Sequence, residues 1–260
     1  EVIGSKKNPI HVLRNLNDTK ILNERFPEFG RVGGQVQFDI YHHYTTDEHL
    51  LLTLHHLSEL KKQSFYKEIY SRLSLKTALH VALIFHDIGK KGPKSHSIYG
   101  KELTEKIFKR LPLREDDQEM VLWLIENHLL MSDIAFKNDP QDPYVIASFT
   151  SIANTSEKIN SLFLFTLCDI AAVGPNILNE WRISLLRSLL YNSRDFLQRG
   201  LDSVSYSSAV QDSIKKNVLS NVDKSMNTFI QKNIFELPSL FWEAFSSRMI
   251  VDIFKFYKDF

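Results

Sequence analysis

The sequence predicts an all-α protein, a helical bundle with helical extensions at its N- and C-terminal ends. Glycine (9) and proline (8) are scarce among 260 residues. Apolar residues recur at helical spacing along most of the chain, and no window keeps the strict alternation of a half-buried strand. Residues that cap or stop helices fall at the ends of these periodic stretches.

The elements follow in order. Thr45-Thr46-Asp47-Glu48 reads as a capping box that starts a helix running to about Lys61 and places His49 in its first turn. A second helix is predicted from about Ser74 to Ile88, closed by Gly89 as a left-handed cap. Lys90 to Lys94 form a short loop, and His96 opens a helix ending near Leu111. Asp116 to Leu130 follow, with His128 near the end. Asp142-Pro143 gives an N-cap and a proline at the first helical position, for a helix reaching about Asn154. Ser156 caps a helix that carries Asp169 and stops at Gly174-Pro175. Residues 201–260 read as helix plus a loop around Leu237-Pro238. The expected organisation is a helical linker over 1–34, a central domain over 35–200 and a helical extension over 201–260.

Charge is balanced, with 32 basic against 31 acidic residues and a formal net charge of +1. That argues against nucleic acid as a partner held by bulk electrostatics. The longest apolar runs fall well short of the ~20 residues that span a bilayer, so no membrane role is expected. Cys168 is the only cysteine and sits in an apolar helix, which makes it a small core residue. No intrachain disulfide can form, and a cytoplasmic location is expected.

Two carboxylates stand out. His86-Asp87 ends the run Ala78-Leu79-His80-Val81-Ala82-Leu83-Ile84-Phe85, which has no solvated face. Asp169 is the only group charged at neutral pH in Leu162-Phe163-Leu164-Phe165-Thr166-Leu167-Cys168-Asp169-Ile170-Ala171-Ala172. Burying an unpaired carboxylate carries an idealised cost of order 20 kcal/mol, which relaxation reduces to several. A bound cation offsets it. With His49 these residues make a His/His/Asp/Asp set of nitrogen and oxygen donors, suited to Mn, Fe, Zn or Mg. His96, in the turn after His86-Asp87, and His128, at another helix end, can reach the same cluster. Lys90 directly follows the helix that carries the pair and can meet a phosphate oxygen, while Lys91 and Lys94 add local positive potential. Glu48 either caps its helix or orients a histidine or water. His11, His42, His43, His55, His56 and His80 read as structural or surface residues.

The order His49, then His86-Asp87, then Asp169, each part on a different helix, resembles the HD phosphohydrolase superfamily. Four stretches narrow the likeness: Gln35 to His49, His96-Ser97-Ile98-Tyr99-Gly100, Trp123 to Ser132, and Asp169 to Pro175. They look like the HD region of the bifunctional PII uridylyltransferase/uridylyl-removing enzyme family, and the likeness runs from about Leu22 to Gly200. It departs at Ser95, where that family often has Asp, and at Ala171, where Arg is usual.

The resemblance implies an HD-domain helical bundle that hydrolyses a phosphodiester with a metal-activated water, and a substrate: uridylyl-tyrosine on the nitrogen-signalling protein PII, cleaved to UMP and a free tyrosine hydroxyl. Divalent metal ions are the expected cofactors, Mn or Mg first and Fe or Zn as alternatives. Two cations are expected, one held by His49, His86, Asp87 and Asp169, the second by Asp87, His96 and His128. Two divalent ions against two carboxylates leave net positive charge for an anionic substrate. Asp87 and Lys90 are the expected catalytic residues. The full-length family carries nucleotidyltransferase and glutamine-sensing ACT domains on the same chain; no nucleotidyltransferase motif is read here, and with the ACT domains expected to be absent hydrolysis is expected not to respond to glutamine. Two other functions share the residue pattern: an HD nucleotidase or cyclic-nucleotide phosphodiesterase, and a non-catalytic, metal-stabilised regulatory scaffold.

Overall fold

The structure is a computed structural model that describes residues 10–34, 44–90, 92–202 and 247–258, with isolated positions at 218, 219, 222 and 230. Among the described residues every regular element is a helix: α1 (Ile10–Asp18), α2 (Ile21–Arg25), α3 (Pro27–Gly30), α4 (Thr46–Leu60), α5 (Ser64–Ser71), α6 (Lys76–Phe85), α7 (His96–Phe108), α8 (Glu115–Asn127), α9 (Leu130–Lys137), α10 (Pro143–Ile152), α11 (Ser156–Val173), α12 (Glu180–Asp202) and α13 (Ser247–Lys258). The all-α expectation holds. The chain divides into two compact units, Glu1–Arg194 and Asp195–Phe260. No described helix is long and apolar enough to cross a membrane.

The core of the first unit follows from the two helices that are apolar all round. Every residue from Ala78 to Phe85 of α6 is buried, as is every residue from Ile159 to Cys168 of α11. Helices without a polar stripe belong inside, and here α11 packs against α4, while α6 packs against both α4 and α8. Phe85, Phe163, Phe165, Leu50 and Leu54 are among the fully buried side chains. Each contributes about 1.5–3 kcal/mol by leaving water. α7 covers α8 from outside.

α6, α8 and α11 run in the same direction. Leu75, Asp116 and Glu157 line one pocket at their N-terminal ends. There the Glu157 carboxylate accepts from the backbone N–H of Ser74 (2.9 Å) and Leu75 (2.8 Å), closing the exposed start of α6. Their other ends deliver His86, His128 and Asp169.

Local capping differs from expectation in three places. Thr45 is the N-cap of α4, but no side-chain cap bond forms: its side chain is hydrogen-bonded to Asp47, and Glu48 is engaged by Arg14 of α1. Thr155, not Ser156, caps α11, its hydroxyl accepting from the Lys158 N–H at 3.1 Å. Asp142 caps α10 as expected, accepting from the Tyr144 N–H at 2.8 Å. Gly89 is not a left-handed cap, since its φ is not positive. Its lack of a side chain serves close approach: a Cβ there would lie 2.1 Å from the His96 carbonyl oxygen and 2.4 Å from the Gly100 nitrogen. The segment predicted as helix from Ser74 to Ile88 is helical only over Lys76–Phe85, and residues 86–90 form turns that bring Asp87 and Lys90 around toward α7. Three helices were not anticipated, the short α5 and α9 and the long α12. The stretch Gln35–His43, His42 and His43 among it, Lys91 and Leu237-Pro238 lie outside the described residues.

Candidate metal centre

Five helix ends meet at one place. His49 lies in the first turn of α4, His86 is the residue after α6 and Asp87 the next, His96 opens α7, His128 follows α8, and Asp169 lies near the end of α11. The three C-terminal ends present partial negative charge, which favours a cation. The two N-terminal ends, which place His49 and His96, carry partial positive charge.

The distances define two groups that share Asp87. In the first, Asp169 Oδ1 lies 3.0 Å from His49 Nε2 and 3.2 Å from His86 Nε2, and Asp87 Oδ2 is 3.8 Å and 3.6 Å from the same two nitrogens. In the second, Asp87 Oδ1 is 4.0 Å from His96 Nε2, which is 3.2 Å from His128 Nε2. One atom from each of His49, His86 and Asp87 fits within a 4.8 Å cluster, and so does one from each of Asp87, His96 and His128. The two carboxylate oxygens of Asp87 thus face different histidine groups.

The donor chemistry fits metal ions. His86 Nδ1 is 3.1 Å from the Leu83 carbonyl, and His128 Nδ1 is 2.7 Å from the Ile125 carbonyl. A carbonyl only accepts, so each Nδ1 carries the proton. In the neutral ring the Nε2 lone pair is then left facing the carboxylates. A backbone carbonyl that fixes the tautomer in this way is the usual support of a metal-binding imidazole. Phe165, one turn before Asp169, stands edge-on to His86 with ring centroids 5.1 Å apart at 82°, and also borders His128 at 6.1 Å. It makes the deep wall dry.

Electrostatics follow from this crowding. Burial alone would raise the Asp87 pKa, but the charges of His86, Lys90 and His49 outweigh it and hold the carboxyl down at about 2. Asp169 is likewise held well below the usual range, against its burial, by His86 and His49. Burial pushes His128 down to about 4, assisted by His86, and lowers His96 as well. Burial also acts to lower His86, yet the charges of Asp87 and Asp169 prevail and raise it. The carboxylates are therefore ionised at neutral pH. Lys90 Nζ sits 2.5 Å from Asp87 Oδ2.

Exposure shows where the site opens. The side chains of His86 and Asp87 are 1% and 5% exposed, against 17% for Asp169 and 34% for His96. Among the described residues the cluster is most open to solvent at His96.

All six residues expected from the sequence to bind metal are brought together, with Lys90 beside them. His80 and His56 stay apart as expected: His80 is buried within α6, its Nδ1 2.7 Å from the Lys76 carbonyl, and burial pushes His56 down to about 4. Lys94 pairs with Glu102 at 2.5 Å. Sequence reasoning missed Phe165, although its spacing of four from Asp169 placed both on one helix face. It also missed the contacts of α1 with Asp47 and Glu48.

A bundle with a His-Asp pair at a buried helix end and further histidines around it defines a class. Residues 46–169 match the HD domain family. More particular likenesses are to three proteins named bifunctional uridylyltransferase/uridylyl-removing enzyme. The chain is 37% identical to that of Ruegeria pomeroyi over 203 residues, 76% of this chain and 22% of the relative. It is 37% identical to that of Novosphingobium aromaticivorans over 206 residues (77% and 23%), and 37% identical to that of Rhodospirillum rubrum over 209 residues (78% and 22%). The chain thus spans under a quarter of the length of these relatives. The HD domain and the uridylyl-removing relatives together support a metal-dependent phosphohydrolase.

Proposed function

We propose that this chain hydrolyses a phosphodiester with two divalent metal ions, and that its substrate is uridylylated PII, from which it removes UMP. The observation that carries this reading is Asp87, whose two oxygens face two separate histidine groups. His49, His86, Asp87 and Asp169 would hold one ion, and Asp87, His96 and His128 the other. Mn or Mg suits the mixed oxygen and nitrogen donors, with Fe or Zn as alternatives. When bound, the ions supply Lewis acidity and acidify a coordinated water near neutral pH.

The chain's own residues do the rest. The Leu83 and Ile125 carbonyls hold protons on His86 and His128 Nδ1, so both Nε2 atoms stay available. Phe165 excludes water from the inner wall. Lys90 pairs with Asp87, and a cation at Asp87 would free its ammonium to turn to a non-bridging phosphate oxygen. There it opposes the charge that redistributes in the transition state. Water adds to phosphorus and the bond to the tyrosine oxygen breaks, giving UMP and the tyrosine hydroxyl. Phenol, with a pKa of about 10, leaves without a strong acid. The uridylyl-removing activity in the relatives' names supports the choice of a nucleotidyl ester, and the sequence resemblance supports PII. The single, buried Cys168 accords with a reducing, cytoplasmic setting.

The test is incubation with Mn and uridylylated PII, and separately with free mono- and cyclic nucleotides. Release of UMP from PII alone supports the proposal. Turnover of free nucleotides with PII untouched would make the chain a nucleotidase or phosphodiesterase, and no turnover with metal bound would leave a scaffold. Asp87→Ala should abolish both metal binding and hydrolysis.

A further inference from the structure

The first turn of α4 is gripped from outside the HD match. α1 docks through Ile10 and Leu13, both buried, and sends two polar side chains to α4. Arg14 Nε donates to both oxygens of Glu48, at 3.0 Å and 3.3 Å, and its Nη2 makes a further short contact with Oε1. Asn17 Nδ2 donates to Asp47 Oδ2 at 2.8 Å. The second oxygen of Asp47 accepts from the backbone N–H of Gly34 at 3.0 Å. Gly34 sits at φ 67°, a left-handed conformation that glycine adopts without cost. Both acidic residues before His49 are therefore tied down by residues 14–34, while the family match begins at residue 46.

We infer that Arg14 and Asn17 are positioning residues for metal binding: through Glu48 and Asp47 they fix the first turn of α4, and with it His49 against Asp169. This rests on the two-metal reading above. An acidic pair in a helix first turn is stabilising by itself, because it meets the helix dipole. Here both carboxylates have partners from residues 14–34, and a bidentate guanidinium sets direction as well as charge. The Asp47 carboxyl, which burial would raise, is held low by the hydrogen bonds from Asn17, Thr45 and Gly34. His49 must present Nε2 within a few tenths of an ångström for a cation to be held well. A turn free to rock cannot do that.

Coulomb's law and the clamp predict opposite signs for one variant. Arg14→Ala removes a positive charge near the site and leaves Glu48 unopposed, so electrostatics alone would tighten cation binding. The clamp predicts weaker binding, by roughly tenfold or more, as for other residues that orient a ligand. Asn17→Ala changes no charge and should also weaken binding. Arg14→Lys, which keeps the charge but loses the fork, should recover only part. Equilibrium dialysis with Mn, without substrate, reads this directly on the full chain, and circular dichroism reports the fold. Looser Mn binding in Arg14→Ala and Asn17→Ala, with helicity retained, supports the clamp. Should Arg14→Ala fail to fold, Asn17→Ala alone decides the outcome. Unchanged or tighter Mn binding in the folded variants, with the wild type binding normally, overturns the clamp and leaves the two-metal reading standing. A wild type that binds no Mn overturns both.

Discussion

Gly89→Ala tests how closely the two metal groups are built. The added Cβ would meet the His96 carbonyl oxygen at 2.1 Å, the Gly100 nitrogen at 2.4 Å and the Gly100 Cα at 2.9 Å. All three are backbone atoms, so no side chain can swing aside. Since a Cβ essentially never comes within 3.0 Å of such atoms, the first turn of α7 must retreat from the Asp87 turn by about 1 Å. Overpacking of this kind costs about 1–3 kcal/mol, and a rigid backbone on both sides argues for the upper half. In a unit of this size that lowers Tm by roughly 4–12 °C. The retreat carries His96 with it, away from Asp87 and His128, and metal geometry tolerates only about 0.2 Å. The second metal should be lost and the first kept. Gly100→Ala is the control, for its Cβ would face the His86 carbonyl at 3.1 Å and Ile125 Cγ2 at 3.5 Å. A shift of a few tenths suffices there, and the gain in helix propensity of about 1 kcal/mol offsets it. Thermal melts and elemental analysis of the Mn-saturated proteins read both effects. A Gly89→Ala protein with wild-type Tm and two metal equivalents would refute the close-approach argument.

Lys90→Ala should keep its metal content and lose roughly 100-fold or more in turnover; metal occupancy falling in step with activity would make Lys90 structural. His96→Ala and His128→Ala should each lose about one metal equivalent with helicity intact, and a wild type that binds one ion under saturating Mn would return both to a structural role. Acid stability should depend on His80, whose burial lowers its pKa to about 4 in the folded chain. Because the unfolded value is near 6.5, the unfolded chain binds more protons between these limits. Stability from this group is therefore full above about pH 6.5 and lost as pH falls, by about 3 kcal/mol near pH 4. His80→Asn should flatten that part of the urea-denaturation profile, and an unchanged profile would sink the assignment.

The site was more legible in sequence than the details that hold it. A lone carboxylate in an apolar run announces itself, because burial without a partner is so costly; that logic found Asp87 and Asp169. His49, His96 and His128 lie near helix ends, whose positions the spacing of apolar residues locates to within a turn. What fixes the ring nitrogens was not legible. The Leu83 and Ile125 carbonyls are free to accept because their helices end, and a backbone carbonyl has no sequence signature. The reading of Gly89 erred in the same way, since a left-handed cap and a close crossing both call for glycine. The capping box failed for a different reason: the Thr45 side chain is hydrogen-bonded to Asp47, and Glu48 is engaged by Arg14, 34 positions away in sequence. The turns after α6 and the short α5 and α9 escaped because helices of little more than two turns carry too little periodicity to stand out.

The wide sequence spacing of the cluster has a thermodynamic meaning. His49 and Asp169 are 120 residues apart along the chain, yet their donor atoms lie 3.0 Å from each other. A cation held between them would close a loop of that size, acting as a reversible cross-link. Because the site is assembled only in the folded chain, the ion stabilises by mass action, as RT ln(1 + c/Kd) with c the free ion concentration, and leaves the unfolded chain unlinked. Unlike a disulfide, its strength follows the free concentration of the ion. A chelator would remove the link without breaking a covalent bond.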